Sequence, residues 1–431
     1  MFRKAYANWM YRWETALTTR DENRIVRPLE WGFDWLDDYI ERRRIREKLF
    51  GPDEKPPSDD PAAQRAMLRL GEDIVQNSER FFGYNTPSDF RLEERHPQLF
   101  PTNVRPETLK RDAALRQRAA EGKLPTAQFL RFTSPVRTIC PENDQVNARW
   151  YPAPEEKQLG KPKQAMIVMP QWNADAFSHN ALCGVFNRFG VSALRLSKPY
   201  HDIRRPAELE RSDYAVSANI GRTISACRQA VIDIRCCLDW LESQGYEQFG
   251  VLGTSLGSCY AFIASAHDAR LRVNAFNHAS MNFGDVVWTG QSTRHIRQAL
   301  EPVMTQQGLA GLWRCISPIS YLERFAHPEL PEEVERASAL RKKVLVIHAK
   351  YDLTFREEFS LQVLENFERA RLNFVSKVLP CGHYTTGETP YKFIDGWYLG
   401  SFVYSAFKGL AEEPARRPLT KHSPAPALMA D

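Results

Sequence analysis

The chain has 431 residues, 43% hydrophobic and 11% aromatic, enough for a large core and an accessory region besides. Lys+Arg 58 against Asp+Glu 53 leaves a net charge of +5, too small at this length to point to nucleic acid as a partner. No run of about 18 uncharged apolar residues occurs, so no transmembrane helix is predicted.

The N-terminus, MFRKAYANWMYRWETALTTR, is charged throughout and does not read as a signal peptide. Phe2, Tyr6, Trp9, Trp13 and Leu17 fall at helical spacing with Met10 beside them, while Lys4, Arg12 and Glu14 lie off that stripe. A second stripe, Trp31, Trp35 and Tyr39 with Leu36 and Ile40, precedes the basic run ERRRIREK. Acidic residues nearly match basic ones in this region, which weakens attraction to anionic lipid. Both helices are therefore predicted to pack on the rest of the chain or on a partner subunit, in preference to a membrane surface. The segment GPDEKPPSDDPAA is a proline-rich connection. Residues 1–125 are expected to form a helical N-terminal accessory region.

From about residue 126 short apolar runs alternate with helical patterns. QFLRFTS and ARWYPA read as antiparallel leading strands. AMIVMP, SALRLS, FGVLG, VNAFNHA, KVLVIHA and NFVSKVLP follow as strand candidates, the continuous apolar ones buried on both faces as parallel strands are. The clearest helix, 219–243, carries Ile220, Ile224, Cys227, Val231, Ile234, Leu238 and Leu241 on one stripe. Arg222, Arg228, Arg235 and Asp239 lie off it, and Gly245 is a stop signal. The alternation predicts an α/β fold with helices on both faces of the sheet. The eight cysteines show no C-x-x-C pair and no zinc spacing, and read as reduced core residues of a cytoplasmic protein. Residues 411–431, rich in Pro and Ala, are expected to be disordered.

In GVLGTSLGSCYAF, Ser255 sits between Gly253 and Gly257 after an apolar strand and before a helix of small residues. It is either a nucleophile on a strained turn or an N-cap serine on a core helix, and strand before and helix after favour the first. Asp352 follows one later buried strand and His383 the next. With the order Ser, Asp, His, the motifs GTSLG, VLVIHAKYD and CGH resemble the α/β-hydrolase superfamily, serine-hydrolase branch, over about residues 126–410. The resemblance implies a mostly parallel sheet of about eight strands and acyl-transfer chemistry. Ser255 would attack the acyl carbon, His383 act as base and then acid, and Asp352 orient the imidazole. Asp285 is the rival acid; His278 and His348 are expected to be structural. For the oxyanion hole the resemblance implies the N–H of Leu256 and one from the loop after AMIVMP, where Pro170 has no N–H. Trp172 is chosen, with Gln171 next, and a packing role for Trp172 stays open.

Tyr200, His201, Arg204 and Arg205 either line the substrate cleft or sit in a solvated loop, which is favoured. Residues 284–340, holding Trp288, Trp313 and Phe325, form a possible cap insertion. The expected activity is hydrolysis of a small-molecule acyl substrate, most simply a carboxylic ester, with no cofactor and no metal, and an oligomer is possible. A peptidase or amidase using the same triad, a membrane-surface lipase and a non-catalytic binding protein are the alternatives.

Overall fold

A computed structural model describes residues 2–20, 23–101, 108–159, 161–327 and 342–413. Most of the tail 411–431 and the last part of the 284–340 insertion lie outside them. In chain order the main elements are α1 (Phe2–Thr19), α2 (Asp60–Gln76), β1 (Arg91–Arg95), β2 (Ala127–Thr133), β3 (Gln145–Tyr151), β4 (Gln164–Met169), α3 (Asn180–Arg188) and β5 (Val191–Leu196). They continue with α4 (Ile220–Ser243), β6 (Gln248–Thr254), α5 (Leu256–Ala266), β7 (Leu271–Asn277), β8 (Lys343–Ala349), α6 (Glu357–Arg369), β9 (Phe374–Leu379) and α7 (Tyr391–Ala411).

The strands form a nine-stranded sheet in the order β1-β2-β3-β5-β4-β6-β7-β8-β9. β1, β2, β3 and β5 are joined antiparallel, and β5–β4, β4–β6 and β8–β9 are parallel. Each strand read from an apolar run is present within a few residues of its expected bounds. β4, β5, β6 and β8 are buried along nearly their whole length, which is why they read as continuous apolar runs. β1 was not anticipated: Arg-Leu-Glu-Glu-Arg carries no alternating apolar face, and Glu93 holds the flanking Arg91 and Arg95 at 2.6 and 2.7 Å.

The described chain divides into two compact units. One contains residues 1–83, 214–228 and 276–398; the other contains 84–213, 229–275 and 399–431. In the first, α2 packs on the short helices 306–316, where Gly71 lies against Leu312 and Cys315. The chain at Gly32 meets the start of α4 so closely that a Cβ on Gly221 would fall 1.9 Å from the Gly32 carbonyl oxygen. Trp313 of the insertion is fully buried and donates its indole N–H to the Ile220 carbonyl at 3.4 Å.

The apolar stripe of α4 is buried as expected, but Arg222, Arg228 and Asp239 off it are buried too, and Arg235 is half-buried. Arg228 donates to the Phe81 carbonyl at 2.7 Å and to Asp38 at 2.9 Å, and Asp239 pairs with Arg270 at 2.9 Å. Ion pairing lets the polar side of this helix be covered. After Ser243 the chain reverses at Gly245 with φ 79. All eight cysteines are buried and none is in a disulfide.

Candidate active site

β6 runs straight into α5 through Ser255, whose φ 56 and ψ −121 lie where a residue with a Cβ is strained. The flanking glycines show what holds it there. A Cβ on Gly253 would sit 2.2 Å from the Gly257 carbonyl oxygen, and one on Gly257 would sit 2.2 Å from that of Met169. The first turn of α5 is thus pressed against the end of β4, and only glycine fits at either position. The Ser255 side chain makes no capping bond to α5. Its carbonyl instead accepts from Ser258, N–H at 2.8 Å and hydroxyl at 2.6 Å. Before it, Thr254 Oγ1 lies 2.9 Å from His179 Nε2. Burial, reinforced by Arg195 and Lys198, pushes His179 down to about 3, so this imidazole is neutral.

The loop after β4 is held from several directions. Lys198 Nζ donates to the Gln171 carbonyl at 2.9 Å, and the Trp172 indole donates to the Ser212 carbonyl at 3.0 Å. Asn173, with φ 58, gives its N–H to His201 Nε2 at 3.1 Å and accepts from Ser212 N–H at 2.9 Å. His201 Nδ1 lies 2.8 Å from the Pro199 carbonyl, which fixes the proton on Nδ1 and leaves Nε2 to accept. The Asn173 N–H is therefore committed, which leaves Trp172 and Gln171 as the candidates for a second oxyanion donor beside Leu256. The packed, hydrogen-bonded indole shows that the Trp172 side chain does have a structural task.

The favoured solvated loop at 200–205 is corrected by the structure. Tyr200, His201 and Arg204 are buried, and Arg204 pairs with the equally buried Asp233 at 2.9 Å while donating to the Asn143 and Ser197 carbonyls. A basic segment reads as solvated until its buried counter-charge, distant in sequence, is known. Lys198 is a functional candidate that sequence reading missed. A lysine in a polar run gives no signal of being 1% exposed, with burial holding its ammonium well below the ordinary lysine range.

In the first unit, a second group of candidate residues follows β8 and β9. Asp352 Oδ2 accepts from His383 Nδ1 at 2.8 Å, while its Oδ1 accepts the N–H groups of Thr354 at 2.7 Å and Phe355 at 2.6 Å. Burial would raise Asp352, but the charge and hydrogen bonds of His383 and His278 outweigh it and hold the carboxyl below its usual range. Burial likewise opposes charging of His383, yet the Asp352 carboxylate holds the imidazole above its ordinary value. Phe355 stacks on the His383 ring at 5.3 Å and 4°, limiting its rotation. His278 lies beside both, its ring 4.7 Å from that of His383 and its Nδ1 3.4 Å from Asp352. Asp285 is elsewhere, on the helix 283–289, accepting from Gln306 at 2.8 Å. His348 is buried within β8.

His278, Asp352 and His383 have ligand-type atoms within 4.8 Å of one another, the one such cluster among the described residues. Asp352 Oδ1 already accepts two N–H groups and Oδ2 faces a protonated Nδ1, an arrangement suited to orienting a histidine rather than to gathering lone pairs on an ion. A cavity of about 400 Å³ opens between α1 and residues 288–297. Tyr11, Trp288, Arg294, Arg297, Leu353 and Arg356 are among its walls. It borders Asp352 through Leu353, but none of the three triad candidates lines it, so it is not taken as the acyl pocket.

No family model matches the chain, and no curated protein matches it in sequence. Solved structures with similar folds include an acylaminoacyl peptidase from Pyrococcus horikoshii, at 10% identity and a TM-score of 0.46, covering 66% of this chain and 46% of that one. An esterase from Pyrococcus furiosus aligns at 13% identity and a TM-score of 0.39, covering 65% and 90%. The ferulic-acid-bound Est1E of Butyrivibrio proteoclasticus aligns at 13% and 0.39, covering 61% and 96%. The chain thus spans about half the length of the peptidase and most of the length of the esterases. Its own strand order, with antiparallel leading strands, the β5-β4-β6 crossover and a glycine-flanked serine between β6 and its helix, gives the chain the α/β-hydrolase fold.

Proposed function

We propose that the protein is a serine hydrolase that cleaves a carboxylic ester through an acyl-enzyme. The observation that carries this reading is the elbow at Ser255, a non-glycine residue at φ 56 that two glycines and the end of β4 keep in place. Strain of this kind persists where the surrounding structure over-determines it, and here it turns a serine out at the head of a helix. The Asp352–His383 pair supplies an oriented base.

In this reading Ser255 Oγ attacks the acyl carbon as its proton passes to His383 Nε2. The tetrahedral oxyanion is held by the Leu256 N–H and one from the 171–172 loop. As the C–O bond to the leaving alcohol breaks, His383 returns the proton to that oxygen. Water then repeats the sequence on the acyl-serine, releasing the acid and restoring the serine. Asp352 keeps the proton on Nδ1 and offsets the imidazolium charge throughout. The reaction needs no cofactor. The eight reduced cysteines favour the cytoplasm as its setting. No described helix is long and apolar enough to cross a membrane.

A fluorophosphonate probe tests the reading, because it labels only an activated serine. Wild-type protein should be labelled, and Ser255→Ala should lose the label and ~10⁴-fold or more in kcat while remaining folded. Labelling that persists in Ser255→Ala would sink the assignment. Esters graded by acyl length, run beside the matching amides, then define the substrate.

A further inference from the structure

We propose that Glu14, on the N-terminal helix, is a positioning residue for His383: its buried carboxylate fixes the loop from which the histidine projects. The inference rests on the serine-hydrolase reading above, and it makes α1 part of the catalytic apparatus.

Glu14 is 0% exposed, although it lies among charged residues in sequence. Both of its oxygens are used. Oε1 accepts the N–H of Tyr384 at 2.8 Å, and Oε2 accepts the N–H of Thr385 at 3.0 Å. These are the two peptide groups immediately after His383. Room for the carboxylate is made on the other side of the histidine, since a Cβ on Gly382 would meet Glu14 Oε2 at 2.4 Å. The loop is closed on itself by Gly382 N–H donating to Thr385 Oγ1 at 2.6 Å and Thr386 N–H to the Gly382 carbonyl at 3.1 Å.

α1 follows this loop with one face. Tyr6 Oη donates to the Pro380 carbonyl, Thr385 Oγ1 lies 3.5 Å from Met10 Sδ, and Glu14 takes the two N–H groups. Residues 6, 10 and 14 are four apart, so they stand in one row along the helix. An apolar residue would anchor a helix here without the desolvation cost of a carboxylate. A carboxylate does what an apolar residue cannot, accepting two loop N–H groups and placing a second negative charge near the imidazole.

Within this unit the charged and titratable groups facing His383 among the described residues include the carboxylates of Asp352 and Glu14, the imidazole of His278 and the phenol of Tyr384, whose ring centroid is 5.7 Å away. Burial lowers His278 against the pull of Asp352, which disfavours a second positive charge beside His383. Both carboxylates, when ionised, favour the protonated form of His383. Burial raises Glu14 itself above the ordinary glutamate value, and the Tyr384 and Thr385 N–H groups and the His383 charge work against that rise. Removing the charge of Glu14 should therefore move the acid limb of the pH–rate profile to lower pH. A role confined to anchoring α1 would leave that limb where it is.

The experiment measures kcat, KM and the pH dependence of kcat/KM on a fluorogenic ester for the full-length protein and for Glu14→Gln and Glu14→Asp. Fluorophosphonate labelling of wild type and Ser255→Ala runs alongside. Glu14→Gln loses the charge and one of the two hydrogen bonds, so kcat should fall ~10- to 100-fold. KM should be little changed, and the acid limb should move down by about 0.5 unit. Glu14→Asp keeps the charge but retracts the carboxylate, so kcat should fall with the limb near its wild-type position. A lower Tm for Glu14→Gln with wild-type kcat and an unmoved limb would overturn the inference. If Glu14→Gln does not fold, Glu14→Asp decides: reduced kcat with the limb in place supports the inference, and wild-type kcat overturns it. A wild-type protein that is not labelled at Ser255 removes the serine-hydrolase reading and this inference with it. Labelled wild type with an indifferent Glu14 removes this inference alone.

Discussion

Asp352, buried, and Asp395, half-buried, are carboxylates in the same unit with opposite titration. Asp352 is surrounded by donors, Thr354 and Phe355 N–H on one oxygen and His383 on the other, and stays ionised. Asp352→Asn should cost ~10⁴-fold in kcat, because an amide that donates to Nδ1 selects the wrong imidazole tautomer. Asp285→Asn should change kcat little, since Asp285 bonds Gln306 instead. Equal losses in the two variants would count against the assignment. Asp395 has only the Asn277 amide, at 3.0 and 3.1 Å, and burial pushes it up to about 7. A carboxyl raised on folding binds its proton more tightly when folded. Its stabilising contribution is complete below the unfolded value of about 3.8 and is lost as pH rises toward 7. Asp395→Asn should therefore raise stability at pH 8, by ~2 kcal/mol allowing for partial solvent access, with the gain vanishing near pH 4. Thermal melts at the two pH values check both sign and window. Ser255, Asp352 and His383 were legible as candidates because each follows an apolar strand, a position that sequence alone can mark. Glu14 was not, because its partners lie 370 residues away and a hydrophobic stripe places a glutamate outside it by definition.

At the scale of elements the same contrast recurs. The core strands could be read directly, since burial on both faces makes most of each run apolar, and the few polar residues within it, such as Arg195 in β5 and His348 in β8, are buried with it. α1 could be read as a helix but not oriented. Its aromatic stripe suggested Trp9 as the buried anchor, yet Trp9 is 50% exposed, while Met10, Glu14 and Thr18 are fully buried. The buried row is turned from the aromatic one because two N–H groups on the His383 loop draw Glu14 inward, and Thr18 satisfies its hydroxyl on the Glu14 carbonyl at 2.6 Å. Trp9 packs instead on its helical neighbours Tyr6 and Trp13, with centroids 5.6 and 5.2 Å away. Met10→Ala should accordingly destabilise by ~2–4 kcal/mol and Trp9→Ala by less, the reverse of what residue size suggests. Urea melts of the two variants rank them, and a larger loss for Trp9→Ala would restore the aromatic stripe as the packing face. The elbow makes a sharper case. Gly257→Ala has no space against the Met169 carbonyl, so it should displace the start of α5 and lose fluorophosphonate labelling even where the protein still folds.

Across the whole molecule, the chain order of the segments does not follow the order of function. Residues 1–83 share a compact unit with 214–228 and with 276–398, the stretch that carries Asp352 and His383. What ties them is backbone as much as side chain. Glu30 N–H donates to the Ala218 carbonyl at 3.2 Å and the Glu30 carbonyl accepts from Ile220 N–H at 2.9 Å, while Gly221 N–H reaches the Trp31 carbonyl at 2.9 Å. Leu36, Ile40, Met67, Leu70 and Ile74, all 0% exposed, add the apolar surface of the N-terminal helices to that unit's core. Taking these residues away would expose the facing apolar surface around Leu312, Trp313 and Cys315 and leave Arg228 without its partner Asp38. Each buried apolar side chain lost forfeits ~2 kcal/mol, and a natural domain holds only about 5–15 kcal/mol in reserve. Deleting residues 2–83 should therefore give a protein that is insoluble or lacks a cooperative melt, rather than a trimmed and active enzyme. Expression of residues 84–431 followed by thermal melting and fluorophosphonate labelling checks this. A soluble fragment with a sharp transition and a labelled Ser255 would show that the N-terminal helices are dispensable to the fold, and would weaken the case for Glu14 at the same time.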